Sequence, residues 1–223
     1  MGEVTSRNVG WMMKRITRWP LSTLSGILVI VFYCSFTLIS WALYPDAYGP
    51  VTHYLSRLGN FNDSPFGAYF YNWGCILTGV ALFPFFIGLK DWYKNQRVAA
   101  RYIFMVGQLV GLASAVALVM IGVYSEDLGA PHMLASTIFF ELNFVTLILV
   151  CLPLLIHPSF SKPSALYGLV ITLSSLVLAI YFGGPLVEWF TVFSALVFVG
   201  LVSYYTSKRE RTEGSLDYPT SYE

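Results

Sequence analysis

Charge is what this sequence has least of. Only 11% of its 223 residues are Asp, Glu, Lys or Arg, against roughly a quarter in soluble globular domains. The few charges fall between long apolar runs rather than along them, so a soluble fold of this length would lack an ionic surface. The formal net charge is +1, which leaves no basic field to hold nucleic acid. Cysteine is scarce as well. Cys34, Cys75 and Cys151 are odd in number and lie inside apolar runs, which argues against a disulfide framework and for soft packing residues. There is no Gly-x-Ser-x-Gly elbow, no His-Glu-x-x-His and no phosphate-binding glycine loop, so no familiar catalytic class is signalled and enzymatic activity stays open. No internal repeat is visible, so the inverted halves of many transporters have no support here.

What the chain does have is hydrophobic length: 56% of its residues are apolar and 17% aromatic. A hydrocarbon core of roughly 30 Å takes about 20 helical residues to cross. Six runs meet that requirement, near 21–44, 65–89, 101–124, 131–156, 163–181 and 185–205. Several open on a proline, whose missing amide hydrogen would have no partner in a first turn anyway. The first run is too long for a signal-peptide core and no small-residue cleavage pattern follows it. The predicted fold is therefore all-α: a polytopic membrane protein with a bundle of six transmembrane helices over residues 1–205. A polar tail over 206–223 reads as disordered.

Basic residues are retained on the cytoplasmic side of short loops. Arg7, Lys14, Arg15 and Arg18 precede the first span; Lys90, Lys94, Arg97 and Arg101 join the second to the third; Lys162 joins the fourth to the fifth; Lys208, Arg209 and Arg211 follow the sixth. Only Arg57 stands in an alternate loop. This predicts both termini in the cytoplasm, in the plasma membrane, and puts Asp46, His53, Asp63, Glu126, Asp127, His132 and Glu188 outside. In the long outer loop, Pro50 to Gly59 predicts a short amphipathic helix with Val51, Tyr54, Leu55 and Leu58 on one face. Asp63 or Ser64 is expected to cap the second span. Phe66, Tyr69, Phe70, Tyr71 and Trp73 would form an outer aromatic belt, with Trp11, Trp19, Trp92, Tyr93, Tyr204 and Tyr205 in an inner one.

Polar groups within a span are expensive and so are the first functional candidates. At about 100° per residue, His132, Ser136, Asn143 and Thr146 share one stripe of the fourth span. Glu141 points to the opposite side, and Gln108 of the third span is one candidate partner for it. His53, Asp127 and His132 would be the ligands of any metal site; zinc accepts such a nitrogen and oxygen set, although the spacing matches no zinc signature. Gly107 and Gly111 would let another helix approach closely.

Two stretches carry a resemblance. One is Tyr54-Leu55-Ser56-Arg57-Leu58-Gly59 followed by Tyr71-Asn72 and Thr78-Gly79; the other is Gly122-Val123-Tyr124-Ser125-Glu126-Asp127 followed by His132 and Ser136. They resemble the prokaryotic membrane family catalogued as domain of unknown function 998. The layout is also similar, more distantly, to the damage-regulated autophagy modulators and a Golgi factor for GPI-anchor remodelling. The resemblance implies six spans, marks Ser56, Gly59, Asn72, Asp127, His132 and Ser136 as motif positions, and suggests lipid handling. Arg57 stands where those relatives often carry an acid. The expected function is binding of a membrane lipid or small amphiphile at an outer polar mouth formed by His53, Ser56, Arg57, Asn72, Asp127, His132 and Ser136. The rival readings are a metal-dependent lipid hydrolase, an ion or proton pathway through Glu141 and Asn143, and a partner of other membrane proteins or of a second copy.

Overall fold

A computed structural model of the protein describes residues 19–216. Arg7, Trp11, Lys14, Arg15 and Arg18, and the tail beyond 216, lie outside the described residues. Among the described residues six long helices make up the fold: α1 (Leu21–Ala42), α2 (Gly67–Gly88), α3 (Val98–Val123), α4 (Ala130–Ile156), α5 (Lys162–Tyr181) and α6 (Pro185–Leu216). All six are long and apolar enough to cross a membrane, which makes the chain an integral membrane protein. Each helix packs on the next in chain order and α6 returns to α1, so the six close into a ring with α5 standing between α4 and α6.

Lipid offers no hydrophobic drive for one apolar helix to meet another, so close fit has to supply the attraction. Glycine provides that fit. A Cβ on Gly88 would stand 2.4 Å from the Ser22 backbone nitrogen, and one on Gly122 would stand 2.4 Å from the Asn72 carbonyl oxygen. The pair expected to receive an outside partner is spent inside the fold, since Gly107 lies against Leu149 of α4 and Gly111 against the Phe86 ring of α2. Gly168 of α5 lies against Cys151, and all three cysteines are free.

The six helices fall close to the predicted runs, with two differences at their ends. Neither Asp63 nor Ser64 caps α2 with its side chain; the helix starts at Gly67, and Asp63 pairs with Arg57 instead. At the other end of the ring, α6 does not stop at Tyr205 but runs on to Leu216. Lys208, Glu210 and Arg211 are good helix formers, and Arg209 reaches back to donate to the Asp91 carbonyl at 2.9 Å while its guanidinium sits 5.1 Å over the Trp92 ring. Trp92, expected in an aromatic belt, is fully buried; its indole donates to Thr206 at 2.9 Å, and His157 and Phe160 meet it edge-on. His157 in turn spans the break after α4, giving one ring proton to the Lys94 carbonyl at 2.9 Å and accepting from the Ser159 amide at 3.1 Å. Burial holds its pKa below the usual value, so it does this work as a neutral ring.

Gly88→Ala and Gly122→Ala should each destabilise the fold by about 1–3 kcal/mol, because the new methyl meets backbone that cannot step aside. Gly49→Ala, with no neighbour nearer than 3.9 Å, should leave the melting temperature in detergent unchanged.

Candidate functional site

The segment between α1 and α2 folds over one end of the ring as a cap. The predicted α-helix over 50–59 is instead a turn at Gly49–His53 followed by a 3-10 helix, Leu55–Gly59. A 3-10 helix has three residues per turn and stacks i over i+3. Leu55 and Leu58 therefore point the same way, and both are 0% exposed, while Val51 and Tyr54 are exposed at 76% and 49%.

Such a segment carries backbone groups that no helix ladder can satisfy, and the helices meet them with side chains. Glu188 of α6 accepts from the Leu55 amide at 2.9 Å and the Ser56 amide at 3.3 Å. Asn72 of α2 donates to the Gly59 carbonyl at 3.1 Å, and Ser40 of α1 donates to the Leu58 carbonyl at 3.3 Å. Trp189 donates to the His53 carbonyl and Trp41 to the Tyr48 carbonyl, each at 3.1 Å. Before α4, Asp127 accepts from the Phe61 amide at 3.3 Å and Glu126 accepts from the Asn60 side chain. Burial pushes the Asp127 carboxyl up, but hydrogen bonds from the Ser125 side chain, the Phe61 amide and its own amide, with His132 nearby, outweigh that and hold it below the ordinary aspartate range. Burial and the neighbouring Glu188 keep the Tyr48 phenol well above its usual range, so it remains a donor, to the Tyr54 carbonyl at 2.6 Å.

Beneath the cap lies a chamber with about 90 Å³ open to the centre of a water molecule. Every helix but α5 contributes to its wall. Its lining on α4 runs from Ser136 to Val150, a depth of roughly 21 Å at the α-helical rise. Near the cap the wall is polar: Ser56 and Glu188 at the roof, then Ser136, Thr191 and the hydroxyls of Tyr33 and Tyr71, which lie 3.4 Å apart, with Asn143 about half-way down. Toward the far end it is apolar, with Leu82, Phe85, Leu89, Val150, Phe198 and Val202. The buried hydroxyls of Thr78 and Thr146 both line the chamber and have no hydrogen-bond partner. On the α4–α5–α6 side the packing is loosest near the cap: no residue from Ser136 to Val145 is buried, and none on α5 beyond Ser175.

A family model for proteins of unknown function, DUF998, matches residues 27–206. The chain belongs to this family. No curated protein and no solved structure matches it. The DUF998 match takes in the cap and the whole chamber.

In this DUF998 fold the polar residues singled out by the sequence divide into two sets. Ser56, Ser136 and Asn143 line the chamber, whereas Asn72 and Asp127 hold the cap. Arg57 pairs with Asp63 at 2.7 Å on the surface. His132 is buried and gives its Nδ1 proton to the Tyr124 carbonyl at 2.7 Å, while its Nε2 has no partner. His53 stacks on Tyr48 at 5.0 Å and bonds Thr52 at 2.8 Å. The suggested metal trio is not assembled: among the described residues no three His, Cys, Asp or Glu side chains gather. The cap leaves His53 beside Tyr48 and Tyr44, whereas Asp127 lies in the α3–α4 connection and His132 in the first turn of α4. Gln108 is not the partner of Glu141 either. It donates to the Phe86 carbonyl at 2.6 Å and accepts from the Tyr93 hydroxyl, which ties α3 to α2. Glu141 is exposed, on the side of α4 opposite Asn143.

Sequence reasoning missed Glu188, Tyr33, Cys75, Thr78 and Thr191 as parts of one surface. Glu188 reads as an acid that favours a helix start, and Tyr71 reads as belt although it is only 4% exposed. Thr78 and Tyr33 could have been flagged as polar groups within apolar runs.

Glu188→Ala should leave the Leu55 and Ser56 amides bare and speed their hydrogen exchange by roughly tenfold or more, the equivalent of about 1–3 kcal/mol; Glu188→Gln, which keeps one acceptor, should do less. Asp127 has a depressed pKa in the fold, so its stabilisation is complete above the ordinary aspartate range and is lost as pH falls below it. Acid melts should show that loss in the wild type and a flatter limb in Asp127→Asn.

Proposed function

We propose that this protein binds an amphiphile from the membrane inside the chamber, polar head under the cap and hydrocarbon toward the far end. The observation that carries the reading is the lining of the chamber itself, with Ser56, Glu188, Ser136 and Thr191 next to the cap and Leu89, Val150 and Val202 at the far end. Buried polar groups are almost always hydrogen-bonded, so Thr78 on α2 and Thr146 on α4, whose hydroxyls are closed off from water and without a partner, carry a cost that a ligand reaching them would relieve. The graded lining supports the same orientation, and the loosely packed α4–α5–α6 side near the cap offers a way in from the bilayer.

The placement in the membrane is also a proposal. The described Lys and Arg residues other than Arg57 lie in the α2–α3 connection, at the starts of α3 and α5, or near the end of α6, all at the end of the ring away from the cap. By charge retention that end faces the cytoplasm of the plasma membrane and the cap faces out. Six crossings return the chain to the side on which it started.

Native mass spectrometry of the gently purified protein should show a retained amphiphile. Ala195 lines the chamber, and Ala195→Trp should remove the bound mass while the melting temperature falls little. A wild-type protein that carries nothing, and that takes up nothing from added membrane lipid extract, would overturn the proposal.

A further inference from the structure

We infer that the chamber selects a single-chain amphiphile whose head donates hydrogen bonds and carries no phosphate. The inference rests on the amphiphile-binding reading and narrows the ligand class. It starts from charge. Glu188 is the one acidic residue in the lining, and no Lys, Arg or His lines the chamber. Arg57, the cation nearest in sequence to the roof residue Ser56, is turned to Asp63 on the surface. His132 is engaged with the Tyr124 carbonyl and does not line the chamber. A phosphate drawn under the cap would lose its water and find no counter-charge, an unfavourable outcome for a buried anion. A hydroxyl or amine head meets the opposite. A carboxylate has about four lone-pair sites, and the cap amides of Leu55 and Ser56 occupy two of those on Glu188. The Asn143 amide and the hydroxyls of Ser136, Thr78 and Thr146 add further acceptors.

Shape sets the chain number. About 90 Å³ open to water centres, spread over a depth of roughly 21 Å, leaves a channel one hydrocarbon chain wide. Its far end is closed by Leu89 and Val202, which are 1% and 0% exposed.

The test uses four probes that carry the same diazirine-bearing chain, each added to the full-length protein in nanodiscs: a monoacylglycerol, a long-chain primary amine, a lysophosphatidic acid and a diacylglycerol. Cross-linked peptides are read by mass spectrometry. The monoacylglycerol, the amine or both should label the chamber wall on α4 and α6 at least tenfold above the lysophosphatidic acid, and which of them does so identifies the head. Asn143→Leu and Thr146→Val, which remove chamber polarity without touching the cap, should cut that labelling severalfold. Equal or stronger chamber labelling by lysophosphatidic acid would overturn the head-group inference, and equal labelling by the diacylglycerol would overturn the single chain; both would leave amphiphile binding intact. Labelling confined to the outer, lipid-facing surface for all four probes would overturn both the inference and the reading beneath it.

Discussion

The structure depends on one constraint: backbone that is not helical, held at the edge of a bilayer, must find every hydrogen bond inside the protein. Lipid-exposed irregular chain is not tolerated at that depth, and irregular chain survives only where protein or a cavity surrounds it. The cap meets this condition by borrowing side chains from the ring. Glu188 takes two of its amides, while Asn72, Ser40, Trp189 and Asp127 each take one further backbone group. Leu55 and Leu58 add the apolar half of the attachment, fully buried beneath the same turn. Most of the conspicuous polar residues at this end of the molecule are thereby committed to structure, and the groups left to meet a ligand are those facing inward.

The chamber follows from how the ring closes. Glycines at 88, 107 and 122 bring α1 to α4 to within backbone contact, whereas α4 and α6 are held apart by α5. Space is left on the inner faces of helices that cannot all converge on one axis. Close packing normally eliminates such space because an unfilled cavity forfeits contact energy. Here it is lined by hydroxyls, an amide and a carboxylate at one end and by leucine, valine and phenylalanine at the other. That gradient matches the long axis of an amphiphile better than it matches a solvated ion. The exposed Glu141 lies outside this space altogether, on the far side of α4.

The two ends of the ring are built differently. One is closed by the cap and its hydrogen bonds. The other is closed by side chains around Trp92, where Arg209, Thr206, His157 and Phe160 converge from α6 and from the break between α4 and α5. A guanidinium over an indole face is well suited to the membrane boundary, where the cation keeps water on one side and aromatic surface on the other.

The number of helices, their order and nearly all their boundaries were legible in the sequence, because crossing about 30 Å of hydrocarbon demands long apolar runs that nothing else in such a chain imitates. Ser56, Asn72, Asp127, His132, Ser136 and Asn143 were also visible as polar residues in or beside apolar runs. Their roles were not legible. Asn72 and Asp127 hold the cap while Ser136 and Asn143 face the chamber, and that division depends on which helix neighbours which. Period alone cannot tell a 3-10 turn from an α-helix over ten residues, so the pattern puts Val51 and Tyr54 on one face with Leu55 and Leu58, and only the fold shows that the leucines alone are buried. The joining of Glu188 to an amide 133 positions away, and the meeting of Thr78 and Thr146 around one cavity, belong to tertiary structure alone. Hydropathy records what each residue tolerates around it, and only the closed ring decides which neighbours it receives.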